Sequence, residues 1–120
     1  MKIARLSDAA LENILKGKTK GPFQCVIKFY SNNCHYCHDL KEEYEKIADS
    51  FGNVHFFAFN TEKHPNIDDL ININGVPTIA FVKVKKSPSV SILEDPKKPH
   101  DKTWYYSNDI IDFIKGELDE

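Results

Sequence analysis

No stretch of this chain approaches the roughly 18 consecutive apolar residues that a membrane helix requires, so a membrane span is not expected. Excess charge is missing as well. Lys and Arg number 16 against 18 Asp and Glu, and the formal net charge of -2 offers no field to draw nucleic acid or an anionic membrane surface; neither is expected as a partner. Cysteine is scarce and odd in number. Three residues make no disulfide framework, and once Cys34 and Cys37 are paired by spacing Cys25 is left over. Residues 1–8 lack the apolar core of a secretion signal, which predicts a cytoplasmic protein; a mature chain that had lost its leader would instead belong to a secretory-compartment lumen. Repeats and low-complexity segments are absent too, and with 41% hydrophobic and 28% charged residues the chain reads as a single domain over residues 1–120.

What is present is an alternation of two periodicities. Residues 2–6 suit a short edge strand, and Ser7 or Asp8 can cap a helix with Ala10, Leu11, Ile14 and Leu15 inward, stopped by the segment 16–22. Phe23 to Tyr30 is β-branched and aromatic and apolar on both faces apart from Lys28, the pattern of a buried strand. Leu40, Tyr44, Ile47, Ala48 and Phe51 then recur at helical spacing up to a stop at Gly52. Val54 to Asn60 predicts a second buried strand, Pro65 to Ile73 a short helix, Thr78 to Val84 a strand, Val90 to Leu93 another, and Thr103 to Tyr106 a last short one. Ser87-Pro88-Ser89 breaks the chain between two of these, and Ser107 can cap a final helix with Ile110, Ile111, Ile114 and Leu118 inward. Strands alternating with helices imply β-α-β crossovers and an α/β fold.

At the junction of the first buried strand and the long helix stands Cys34-His35-Tyr36-Cys37, followed by His38. On the letters alone three chemistries compete: a dithiol redox pair, two ligands of a zinc site, or the C-x-x-C-H of haem attachment. Structural zinc needs four ligands and no second Cys pair exists, although His35 or His38 leaves a weak site open. Haem would have to take His55, His64 or His100 as its second ligand, because the one methionine is Met1. For a dithiol the spacing is apt. Positions i and i+3 share a helix face, and the first cysteine at a helix N-terminus faces unpaired backbone N–H groups that favour its thiolate, by about one pKa unit from the dipole alone.

Three features together resemble the thioredoxin and protein disulfide isomerase superfamily over essentially the whole chain: Cys34-His35-Tyr36-Cys37 after the Phe29-Tyr30 strand end, Glu43-Tyr44-Glu45-Lys46-Ile47-Ala48 in the next helix, and Gly75-Val76-Pro77-Thr78 beyond it. The resemblance implies a thioredoxin fold, a central mixed β-sheet with helices on both faces. It also implies a thiol-disulfide oxidoreductase in which Cys34 is the nucleophile and Cys37 the resolving thiol, with no metal or organic cofactor. Pro77 matches the family's cis proline, and Val76 would offer its backbone to a substrate, with Tyr36 and Asn33 beside the motif completing the substrate-binding set. Expected partners are protein disulfides and a dithiol donor such as a thioredoxin reductase or a glutathione system, met by a monomer.

The departures from the family pattern are specific. The residue before Cys34 is Asn33, the intervening pair is His35-Tyr36, and Lys28 stands where the family places a buried acid on the preceding strand. A charged His35 would stabilise reduced Cys34 and move the protein toward oxidant behaviour. Lys28, neutral, could accept the Cys37 proton; charged, it would lower that thiol's pKa; its stem could equally snorkel away. Glu42 lies near the family's helix-kinking proline, and residues 85–103 read as longer than the family's tight hairpin. The competing functional reading is a non-enzymatic thioredoxin-fold binding module that uses the Pro77 groove or the 85–103 insertion. Cys25 is expected as a small buried hydrophobe, Trp104, Tyr105 and Tyr106 as strand packing with one aromatic able to border the groove, and the lysines at 83, 85, 86, 97, 98 and 102 as a solvated face and loop.

Overall fold

A computed structural model describes residues 3–64, 67–73 and 75–118. Its elements run β1 (Ile3–Arg5), α1 (Asp8–Leu15), β2 (Phe23–Tyr30), α2 (His35–Asp49), β3 (His55–Asn60), β4 (Thr78–Val84), β5 (Pro88–Ile92) and α3 (Ser107–Glu117). The sheet order is β1-β3-β2-β4-β5; β1 and β2 each pair parallel with β3, while β4 runs antiparallel to both β2 and β5. This is the mixed sheet of the thioredoxin fold.

Because alternate residues of a strand point to opposite faces, β2 divides the core in two. Cys25, Ile27 and Phe29 face Leu11 and Ile14 of α1, together with Ile71. Val26 lies on the other face with Leu40, Tyr44 and Ile47 of α2 and with Ile110 and Ile114 of α3. Each such side chain contributes about 1.5–3 kcal/mol on full burial. By the same parity Lys28 is committed to the α2 face.

Local sequence explains the helix ends. The Ser7 side chain accepts the Ala10 N–H at 3.1 Å and caps α1. At the other end Gly17, with φ 76°, donates to Ile14 O while Lys18 donates to Asn13 O, a Schellman stop that needs a residue able to adopt left-handed φ. The α2 helix begins at His35, inside the motif, and closes at Ser50 rather than at Gly52.

Four expectations require correction. Among the described residues of 65–73 there is a 3-10 turn at Ile67–Asp69 and no α-helix; Pro65 and Asn66 lie outside the described residues. Pro88 opens β5 instead of breaking the chain, which an edge strand permits because its N–H has no partner to lose. Residues 85–87 thus form a short β4–β5 turn, and the extra length falls after β5, between Leu93 and Tyr106. In place of a strand at 103–106, Trp104 makes an isolated bridge to His100. Ser107 does not cap α3, whose N-cap is Tyr106; its hydroxyl donates to Glu43 Oε2 at 3.0 Å and ties α3 to α2.

Candidate active site

Cys34 and Cys37 are joined by a disulfide, with Cα atoms 5.2 Å apart. Cys34 is also the N-cap of α2, and its sulfur takes the part usually played by a Ser or Asp oxygen: Sγ accepts the Cys37 N–H at 3.1 Å. The two sulfurs are not equivalent to solvent. Cys34 is half-buried, whereas Cys37 is 2% exposed.

The loop that presents Cys34 is held from three sides. Asn60 Nδ2 donates to Asn32 Oδ1 at 2.9 Å, the Asn32 N–H donates to the Glu62 carboxylate, and Thr61 Oγ1 donates to Tyr30 O at 3.1 Å. From α2, His38 Nε2 lies 3.1 Å from Asn32 O and donates to it. The Asn60–Glu62 turn at the end of β3 therefore anchors the approach to the motif.

Of the expected site residues, Asn33 and His35 are exposed and Tyr36 is half-buried. His35 packs on Tyr36, ring centroids 4.0 Å apart, and Tyr36 meets the edge of Trp104 at 5.3 Å. The Val76-Pro77 peptide bond is cis. Pairing of Phe29 with Thr78 sets Pro77 beside the end of β2, so Val76 and Pro77 lie at the edge of the sheet from which the motif emerges.

Lys28 is 5% exposed, and its side chain lines a cavity instead of extending over the outer surface. The ammonium sits over the Tyr44 ring at 5.1 Å and near that of Tyr30 at 5.8 Å. Burial above all, with help from Lys41, pulls its pKa down to about 8; Glu45 opposes them. A cavity of about 180 Å³ opens beside it, and Cys37, His38, Lys41 and Glu45 share its walls with Lys28. Lys28 and Cys37 thus border one space.

Sequence reasoning missed two contributors and the conformation of a third, Trp104, which it names among the aromatics able to border the groove. Glu45 and Lys41 follow Cys37 on α2 at helical spacing, a signal that was readable. Trp104 was not. It adopts φ 65°, rare for a bulky residue, and is held there by paired backbone hydrogen bonds with His100 and by its Nε1–H donating to Asp95 Oδ1 at 3.1 Å. Cys25 behaves as expected of a buried hydrophobe: it is 0% exposed, and burial pushes its thiol up to about 12. No group of three or more His, Cys, Asp or Glu among the described residues is arranged to hold a metal ion.

Comparison with known proteins places this geometry. The chain is 32% identical to a thioredoxin of Borreliella burgdorferi over 74 residues, which span 61% of this chain and 63% of that protein's length. It is 27% identical to a thioredoxin of Mycoplasma genitalium over 89 residues, covering 72% of this chain and 83% of that protein. In fold it is similar to the crystal structure of the Trx4 domain of ERdj5, with a TM-score of 0.75 at 16% identity and coverage of 98% and 96% of the two chains. The thioredoxin family model matches residues 2–102, and with the C-x-x-C disulfide at the start of α2 and the cis proline before β4, the chain belongs to the thioredoxin family.

Proposed function

We propose that this protein is a thiol-disulfide oxidoreductase that exchanges disulfides with protein substrates through Cys34 and Cys37. The asymmetry of the pair carries the reading: the cysteine at the helix cap is half-buried, and the one a turn later is almost fully buried. A cap position favours the thiolate at Cys34, and the thiolate is the attacking species.

In the reducing direction the Cys34 thiolate attacks one sulfur of a substrate disulfide, forms a mixed disulfide and expels the other substrate sulfur as a thiolate. Cys37, once deprotonated, attacks Cys34 Sγ, closes the 34–37 disulfide and releases the second substrate thiolate. Two electrons pass from the dithiol to the substrate, and a dithiol donor such as a thioredoxin reductase or a glutathione system restores the protein. Run backwards, the same steps oxidise a substrate dithiol.

Lys28 serves this cycle from behind. With its pKa near 8 it is charged at neutral pH yet close to titrating, and its positive charge in the cavity shared with Cys37 favours the resolving thiolate. His35, when charged, favours the Cys34 thiolate and so a more oxidising potential. Asn33, Tyr36 and Val76 supply the substrate-facing surface, with the buried Pro77 behind them and the Val76 backbone offered to an extended segment. The protein acts as a monomer in the cytoplasm, or in a secretory lumen if a leader has been removed.

The test is reduction of insulin by the protein with dithiothreitol as donor. Turnover that disappears in Cys34→Ser supports the reading. No turnover with any dithiol donor would favour a binding module built on the same fold.

A further inference from the structure

The cavity behind the disulfide has an unbalanced lining. Arg5 from β1, Lys28 from β2 and Lys41 from α2 bring three cations to its walls, against the single carboxylate of Glu45. Among the described residues none of the three cations has an ion-pair partner, and the Lys28 ammonium makes no hydrogen bond. Its contacts are the faces of Tyr30 and Tyr44. Buried charges are as a rule paired or hydrogen-bonded, so the Lys28 ammonium depends on what the cavity holds. Burial first, and then the like charge of Lys41, depresses the Lys28 pKa against the opposing Glu45.

The space has the right size and access for something to supply that charge. At about 180 Å³ it has room for one small oxyanion with part of its hydration. Arg5 and Lys41 are exposed and line the way in, whereas Lys28 is the buried member. Planar Arg and point-charge Lys donors on two sides of one cavity match the oxygens of a carboxylate or phosphate.

We infer that the cavity between β1, β2 and α2 binds a small oxyanion of the phosphate or carboxylate class, with Lys28 as the buried contact and Arg5 and Lys41 at the mouth. Binding rests on the cavity and its cations and does not depend on the exchange reaction. If that reaction is as proposed, an occupied site sets a negative charge in the space that Cys37 borders and disfavours the Cys37 thiolate, so the same ligand slows resolution.

Inorganic phosphate is the probe. Thermal unfolding of the oxidised full chain is followed against phosphate concentration at constant ionic strength and pH 7. A ligand at ten times its Kd raises the Tm of a domain this size by roughly 5 °C. The expected result is a Tm that climbs with the logarithm of phosphate concentration above the Kd in the wild type; the climb is lost in Lys28→Met and displaced to at least several-fold higher phosphate in Lys41→Gln and Arg5→Gln. The latter two change exposed side chains and keep the test open should Lys28→Met fail to fold. Acetate in a parallel series distinguishes the sources: a climb with acetate alone assigns the site to carboxylates, and with phosphate alone to phosphates. No climb with either anion, or one that all three variants share with the wild type, overturns the inference.

Discussion

Cys25 and Cys37 lie on consecutive elements, β2 and α2, and both are almost fully buried, at 0% and 2% exposure. Their surroundings nonetheless assign them opposite chemistry. Cys25 points to the α1 face among Leu11, Ile27 and Phe29, where burial alone pushes its thiol up to about 12. Cys37 is in the first turn of a helix, bonded to the half-buried cap cysteine, and it borders a cavity lined with cations. Reactivity here follows the helix terminus and the charges around the sulfur; burial by itself makes a thiol inert.

The widest separation is expected in alkylation. With the reduced protein at pH 7, iodoacetamide should modify Cys34 at least about 1000-fold faster than Cys25, since a thiol with a pKa about three units above the usual one presents about 1000-fold less thiolate. Peptide mass spectrometry reads the ratio, and comparable labelling of both sites would erase the contrast between them.

The next effect is on stability and comes from Lys28. Its pKa falls from 10.5 unfolded to about 8 folded. Below pH 8 both states hold the proton, and the full burial cost applies, roughly 3 kcal/mol at 1.4 kcal/mol per unit. Between pH 8 and 10.5 the folded state releases the proton while the unfolded state keeps it, so this contribution to stability rises with pH. Lys28→Met should therefore be more stable than the wild type by about 3 kcal/mol at pH 7, with the gap narrowing by about 1 kcal/mol between pH 8 and 9 in urea titrations. Cys25, whose unfolded thiol ionises above 9.0, is common to both proteins and drops out of the difference. Release from a trapped Cys34 mixed disulfide should slow in the same variant; an unchanged rate removes Lys28 from the chemistry and leaves the cation purely a burden on the fold.

The smallest effect sharpens the contrast from the inert side. Cys25→Ser puts a hydroxyl among Leu11, Ile27 and Phe29, and should cost about 1–3 kcal/mol of stability in denaturant titration while insulin turnover stays at the wild-type rate. A fall in turnover would mean that the α1 face communicates with the motif.

Much of this was readable from local pattern. The apolar run of β2 and the 3.6-residue stripe of α2 predict both elements, and strand parity alone sends Lys28 to the α2 face, as the packing shows. The cis Val76-Pro77 bond was implied by family resemblance and by nothing in the composition. Long-range features were not readable. The loop from Leu93 to Tyr106 is organised by contacts between residues that no periodicity links: His100 Nδ1 accepts the Lys102 N–H at 3.0 Å, and Asp95 accepts the Trp104 indole N–H. Three aromatic residues in a row, Trp104 to Tyr106, imitate a strand, yet Trp104 is turned to φ 65° by those bonds and toward Tyr36, while Tyr105 alone is buried. At Ser107 a favoured capping residue is drawn off by a carboxylate of another helix, Glu43, which only the tertiary structure supplies.

The placement of Lys28 carries a consequence for how members of this family differ from one another. If exchange runs as proposed, a docking substrate meets the Cys34, His35 and Tyr36 side of the motif, and position 28, at 5% exposure, lies beneath that surface. Two proteins could present identical faces to every partner and still differ in resolving rate, redox balance and response to small anions through a single core residue. The chemistry can thus be retuned from inside, with recognition left untouched.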